Sequence, residues 1–246
     1  HMGDEQRHEI VSRVVDTVAA EYGNAIFKDS SRNEYMIEKV KELTQRTVWA
    51  IGRQLEQEQF VPESFEVRFS LPMNESVNKR KVELVGSIDR IDVCEDNDNI
   101  YIKIIDYKTG SEKFSLYKTY YGLKIQLMTY MIAAMEHEKK LHPGKNIVPA
   151  GAFYYVVDDP IVDRQDSREK VEKKILAQLS YDGIVNGQMP QELMGSSADS
   201  IKGDKNITAG QFARLSEHLT DTMDLMTDNM LNGNAYINPV ADSGSD

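Results

Sequence analysis

The sequence predicts an α/β fold in which helices flank a sheet. Three observations support this class: helical periodicity at both ends of the chain, strand-like segments between about residues 60 and 157, and one helical segment among those strands. The central order is therefore helix, strand, strand, strand, helix, strand. With 246 residues, of which 40% are hydrophobic, the chain is long enough to bury a core.

The middle of the chain supplies the predicted sheet. Its expected elements are strands at 60–69, 82–93 and 100–106, a helix at 119–140 and a strand at 147–157. The polar run Glu95-Asp96-Asn97-Asp98-Asn99 is typical of a turn, so the second and third strands are expected to form an antiparallel hairpin.

The outer parts of the chain are predicted to be mainly helical. The expected helices are at 5–22, 33–59, 167–179 and 208–231. Ser30 or Ser31 is suited to cap the second of them, and Thr208 the last. Glycines and a proline predict an irregular or mobile connection near 180–206.

Two carboxylates and a lysine lie on the strands of the predicted hairpin. Asp106 and Lys108 share a face because strand side chains alternate, and Asp89 lies on the neighbouring strand. Hard cations such as Mg²⁺ and Mn²⁺ prefer oxygen ligands, so the carboxylates are candidate metal ligands and the lysine a candidate electrostatic catalyst. A surface salt bridge is the alternative interpretation. For Arg90 and Asp92, salt bridging is favoured over phosphate positioning.

Three motifs together resemble a known nuclease family. They are Gly86-Ser-Ile-Asp89-Arg-Ile-Asp92, Asp106-Tyr107-Lys108-Thr-Gly110 and Gln126-x-x-x-Tyr130. This order resembles PD-(D/E)XK nucleases of the RecB type, most closely the nuclease domain of the AddB component of bacterial AddAB helicase-nucleases. The resemblance implies a restriction-endonuclease-like core with a central mixed sheet. It extends loosely over 33–239 and is specific within 86–130.

The resemblance also implies roles for individual residues. Asp89 and Asp106 correspond to the metal ligands, with the backbone carbonyl of Tyr107 as another, and Mg²⁺ or Mn²⁺ is the expected ion. Lys108 corresponds to the lysine of the motif. Gln126 and Tyr130 correspond to helical residues that contact DNA or brace the site. A further candidate ligand, from the acidic residue that the family carries at about this point, is Glu66.

The implied activity is a metal-dependent deoxyribonuclease, specifically an exonuclease, that processes DNA ends in recombinational repair. Its implied partners are DNA, expected as single-stranded ends, and the other component of a helicase-nuclease. Two alternatives stay open at this point. One is a stand-alone PD-(D/E)XK exonuclease, and the other is a non-catalytic module that keeps the fold for DNA binding or assembly.

Two features of the family pattern are missing. RecB-type nucleases usually carry a metal-binding histidine well before the first motif aspartate, and His8 lacks the expected flanking pattern. AddB-type domains continue into an iron-sulfur cluster held by cysteines, whereas Cys94 is the one cysteine of this chain. We therefore expect a single nuclease domain over 1–246, excised from a larger protein. Its parts would be a helical 1–60, a catalytic core at 61–160 and C-terminal helices in 161–246.

Charge and hydropathy limit the remaining classes. A formal net charge of −11 opposes nonspecific attraction to DNA, so other parts of the machine are expected to deliver the substrate. The sequence contains no apolar stretch of the roughly 20 residues that span a membrane. A single cysteine argues against an oxidising compartment, and a cytoplasmic location is expected.

Overall fold

The protein is described by a computed structural model, which places residues 3–23, 30–73, 81–110, 112–159, 166–195 and 205–234. In chain order its elements are α1 (Asp4–Gly23), α2 (Ser31–Leu55), β1 (Val61–Pro72), β2 (Glu83–Glu95), β3 (Asn99–Lys108), α3 (Leu116–Tyr120), α4 (Gln126–Leu141), β4 (Asn146–Val156), α5 (Arg168–Gln178), β5 (Tyr181–Asn186), α6 (Gln191–Met194), β6 (Asn206–Ile207) and α7 (Ala209–Leu231). None of the helices in these ranges is both long and apolar enough to cross a bilayer.

The chain divides into two compact units, one made of His1–Gln57 with Val156–Ser180 and the other of Glu58–Tyr155 with Tyr181–Asp246. The single nuclease domain expected over the whole chain stays a prediction. In the first unit, α2 packs against both α1 and α5. The Ser30 side chain accepts a hydrogen bond from the backbone N–H of Asn33, so the predicted cap is confirmed.

The second unit contains a six-stranded mixed sheet with strand order β1-β2-β3-β4-β5-β6. β1 and β3 both pair antiparallel to β2, which confirms the predicted hairpin, and β5 pairs antiparallel to β4 but parallel to β6. α4 packs on β1, β2 and β3 and also against α7. The apolar core lies in this layer, and the α/β class is confirmed.

The helix predicted over 119–140 is two helices in the structure. α3 ends at Tyr120 and α4 begins at Gln126. Gly122 lies between them with φ +76°, a left-handed conformation that glycine adopts without a steric penalty. The apolar spacing continues through the break, so periodicity alone does not reveal it.

The connection predicted over 180–206 also needs correction. Tyr181–Asn186 form a buried strand paired with β4, and Gln191–Met194 form a short helix, while 196–204 lie outside the described residues. Gly183 contributes to the prediction of an irregular connection, yet the strand requires it. A Cβ atom there would lie 2.0 Å from the backbone oxygen of Ala152, so only glycine fits this close approach.

A buried arginine is anchored on β2. The Nε and one terminal nitrogen of Arg90 donate to the two carboxylate oxygens of Asp92 at 2.7 and 2.8 Å. Arg90 also donates to the phenol oxygens of Tyr107 at 2.7 Å and Tyr181 at 3.3 Å. The salt bridge predicted for Arg90 and Asp92 is therefore confirmed, and it lies in the interior, where only 2% and 0% of the two side chains are exposed.

A second buried cation completes this group of charges. Lys103 on β3 lies 2.5 Å from the carboxylate of Glu58 and 3.5 Å from that of Asp92. Its ammonium also lies 5.0 Å from the ring centre of Phe60. The four charges of Arg90, Lys103, Asp92 and Glu58 sum to zero, so burial leaves no net charge. We call these four residues the buried charge network.

Removing one member of the buried charge network should destabilise the second unit. We expect Arg90→Met to lower the free energy of unfolding by about 3–5 kcal/mol, because Asp92 would remain buried without its main partner. Urea denaturation followed by circular dichroism measures this loss. The matched control is Arg68→Met at an exposed position of β1, expected to stay within about 0.5 kcal/mol. Equal stability of the two variants would contradict the prediction.

Candidate active site

The two motif aspartates face each other across neighbouring strands. The pairing of β2 with β3 includes Arg90↔Ile105 and Ile91↔Ile104. Continuing this register by one residue places Asp89 opposite Asp106. Directly opposed residues on antiparallel strands point to the same face of the sheet. The sheet therefore brings together the two carboxylates that the sequence predicted as metal ligands.

Asp89 replaces the backbone ladder at this point. Its Oδ2 accepts a hydrogen bond of 2.7 Å from the backbone N–H of Tyr107. The side chain thereby supplies an acceptor to the strand while its other carboxylate oxygen can still bind a ligand. The same contact fixes the backbone of Tyr107, whose carbonyl is the further predicted ligand.

Asp106 is almost fully buried beside a lysine. Only 3% of the residue is exposed, and its Oδ2 lies 2.6 Å from Nζ of Lys108. This contact lacks the alignment of a hydrogen bond, and Oδ2 has no hydrogen-bond partner among the described residues. Burial raises the pKa of the Asp106 carboxyl, and the Lys108 ammonium partly offsets that rise. The carboxylate is thus short of positive charge.

The first turn of α4 closes the site. Gln126 accepts a hydrogen bond from Nζ of Lys108 at 2.9 Å and donates to Asp106 at 3.3 Å and to the Tyr130 hydroxyl at 2.8 Å. Gln126 and Tyr130 can share this contact because residues four apart lie on one helical face. The Tyr130 ring also packs edge-on against Phe69, with ring centres 5.7 Å apart. All five predicted side chains are therefore in one cluster.

Glu66 is not part of this cluster. It lies on β1 with φ +50°, is exposed, and accepts a hydrogen bond of 3.3 Å from the Ser87 hydroxyl. Among the described residues, Glu66, Asp89 and Asp106 do not form a group whose ligand atoms all lie within 4.8 Å of one another. Its role as a ligand stays a prediction. His8 is exposed and bonded through Nδ1 to Gln45 at 2.6 Å, within the first unit.

Two further residues support the site and were not singled out from the sequence. Tyr154 on β4 places its ring centre 5.5 Å from Nζ of Lys108, a cation–π contact. Gly86 pairs with Phe69, whose ring would lie 2.7 Å from a Cβ atom at that position. Glycine therefore lets the Phe69 ring lie across β2 and reach Tyr130. The glycine before Asp89 is a visible signal in the sequence, but its partner is not.

The donors present fit a hard divalent cation. Asp89 and Asp106 offer carboxylate oxygens on one face of the sheet, and the buried Oδ2 of Asp106 lacks a hydrogen bond among the residues placed by the structure. Mg²⁺ and Mn²⁺ are bound by one or two carboxylates together with waters. Cys94 belongs to another class of environment, since it is buried as a free thiol and burial raises its pKa. A packed position in a strand accounts for this cysteine.

Comparisons with known proteins agree with this geometry. A family model described as the PD-(D/E)XK nuclease superfamily matches residues 1–242. Proteins named as one component of an ATP-dependent helicase/deoxyribonuclease are 33% identical over 94% of this chain in Thermoanaerobacter sp. (strain X514) and 40% identical over 74% of it in Lachnoclostridium phytofermentans. The chain spans 22% and 15% of these two relatives. The matched family and the paired aspartates with their lysine lead to one conclusion: this chain belongs to the PD-(D/E)XK nuclease superfamily.

Proposed function

We propose that this chain is the nuclease domain of a helicase-nuclease and hydrolyses DNA phosphodiester bonds with Mg²⁺ or Mn²⁺. The observation that carries the proposal is the opposed pair Asp89 and Asp106, with Lys108 on the same face and held by Gln126. A purely structural salt bridge would not require a second carboxylate facing the first. The names of the relatives support DNA as the substrate and a further protein component as the partner.

In this proposal Asp89, Asp106 and the Tyr107 carbonyl hold the cation. When bound, the ion would lower the pKa of a coordinated water and offset negative charge on the phosphate. Lys108 donates hydrogen bonds to the attacking water or to a phosphate oxygen and stabilises the charge that develops there. Gln126 fixes the lysine, and Tyr130 fixes Gln126. The helix thereby orients the groups that the strands provide.

A tyrosine cluster favours single-stranded DNA as the substrate. Tyr117, Tyr120 and Tyr121 are 37, 50 and 49% exposed and line a groove of about 650 Å³ between α3 and α7. Tyr120 stacks on His218 with ring centres 4.3 Å apart, which holds it in place. Unpaired bases stack on such rings, and stacking compensates for the weak backbone attraction expected at a net charge of −11. Exonuclease action on single-stranded ends is the form of the activity that we propose.

Metal binding should depend on the aspartates. We expect Asp106→Asn to weaken Mg²⁺ binding at least tenfold, about 1.4 kcal/mol, because the amide removes a negative ligand. Isothermal titration calorimetry measures the dissociation constant. Asp98→Asn, at an exposed turn position, is the control and should bind Mg²⁺ like the parent chain. Unchanged affinity in Asp106→Asn would remove this residue from the metal site.

Cleavage should depend on Lys108 without a matching loss of metal. We expect Lys108→Met to reduce Mn²⁺-dependent cleavage of a labelled oligonucleotide by about 10²- to 10³-fold, since it removes charge stabilisation in the transition state. Lys139→Met, an exposed lysine near the end of α4, should be fully active. An exonuclease should degrade linear DNA and leave circular DNA intact. Activity retained in Lys108→Met would overturn the assignment.

The tyrosine cluster should contribute to binding of single strands. We expect Tyr120→Ala to weaken binding of a single-stranded oligonucleotide roughly fivefold or more, because one aromatic stack is worth about 1–3 kcal/mol. Fluorescence anisotropy in EDTA measures binding without cleavage. Tyr35→Ala, which removes a 60% exposed tyrosine of α2, is the control. An equal loss of duplex binding, or no loss at all, would argue against base stacking.

A further inference from the structure

A second cluster of potential ligands lies at the far end of α4. One ligand atom each from Glu63, Glu138 and His142 lies within 4.8 Å of the other two. α4 begins at Gln126 in the active site, and Glu138 follows 12 residues later, about 18 Å along the helix axis. The cluster is therefore distinct from the catalytic pair of aspartates.

Local structure explains why these three residues meet. Glu138 and His142 are four apart at the end of α4 and share a face, and the backbone N–H of His142 donates to the Glu138 carbonyl at 2.8 Å. On β1 the register changes between Pro62↔Asp92 and Ser64↔Ile91, which leaves Glu63 as the extra residue of a β-bulge. A bulge redirects a side chain out of the regular alternation.

Glu138 is buried without a hydrogen-bond partner among the described residues. Its side chain is 0% exposed, and both carboxylate oxygens, like Nε2 of His142, lack a hydrogen bond within that part of the chain. Burial and the neighbouring charge of Glu63 raise the pKa of the Glu138 carboxyl to about 7. An unpartnered buried carboxylate is costly. The site therefore lacks a positive partner, which is either a shared proton or a cation.

The spacing fits a small cation bound by nitrogen and oxygen. Nε2 of His142 lies 3.4 Å from Oε2 of Glu138 and 3.8 Å from Oε1 of Glu63. Ligands at about 2.0–2.1 Å from a tetrahedral ion are about 3.4 Å apart. An imidazole favours Zn²⁺ and similar ions over Mg²⁺ or Ca²⁺. The Glu63 side chain is 34% exposed, which leaves a route for the ion and room for a water ligand.

We propose that Glu63, Glu138 and His142 bind a divalent transition-metal ion of the zinc class, which links the start of β1 to the end of α4. The ion supplies the positive charge that the buried carboxylate lacks. Its role is structural, because the cluster is remote from the catalytic residues along α4. The site does not depend on the proposed nuclease activity.

The test uses the 246-residue chain with Asp89→Asn and Asp106→Asn, so that the active site does not compete for metal. After dialysis against Zn²⁺, elemental analysis should find one equivalent per chain. Adding His142→Ala should weaken Zn²⁺ binding at least tenfold, whereas His137→Ala on the same helix should retain it. Zn²⁺ should also raise the thermal unfolding midpoint of His137→Ala but not that of His142→Ala.

Co²⁺ gives an independent readout, because a tetrahedral site produces an intense visible absorption band that His142→Ala should lose. If His142→Ala does not fold, Glu63→Gln at the exposed edge of the site takes its place. Absence of bound Zn²⁺, or equal binding by His142→Ala and His137→Ala, would overturn the proposal. Stability that rises as the pH falls through about 7 and is insensitive to Zn²⁺ would also overturn it, since a shared proton then occupies the site.

Discussion

The buried pairing of Arg90 with Asp92 is the interaction on which the geometry of the active site depends. Both side chains lie in the interior, and Lys103 and Glu58 extend the pair into the neutral buried charge network. A buried ion keeps its low free energy only while every partner is in place. Arg90 and Asp92 belong to β2 and Lys103 belongs to β3, so the network permits one register between these strands. The same register sets Asp89 opposite Asp106.

Tyr107 connects the buried charge network to the metal ligands. Its phenol oxygen accepts a hydrogen bond from Arg90 on one face of the sheet, and its backbone N–H donates to Asp89 at the site. Burial raises the pKa of the phenol, which stays neutral and can act as the acceptor. The position of Asp89 is therefore inherited from charges that never contact the substrate. This explains why a costly buried arginine lies directly after a metal ligand in the chain.

Local periodicity is sufficient to predict most of the active site. The two-residue repeat of a strand places Asp106 and Lys108 on one face, and the four-residue spacing of a helix joins Gln126 to Tyr130. Pairings across long sequence distances are not predictable in this way. Glu58 falls at the end of a predicted helix, and nothing near it in the sequence indicates that its partner is Lys103. Gly183 shows the same limit, since the close contact that requires glycine comes from another strand.

α4 brings the two polar clusters into one electrostatic scheme. Its first turn carries Gln126 and has no side-chain cap, and its last turn carries Glu138 followed by His142. A helix is partly positive at its N-terminus and partly negative at its C-terminus, which favours a phosphate at the first end and a cation at the second. Buried Met128 and Met131 hold the middle of the helix in the core. A metal ion at the C-terminal end would therefore act on catalysis only by stabilising the helix that positions Gln126, and not through the chemistry of the bond that is cleaved.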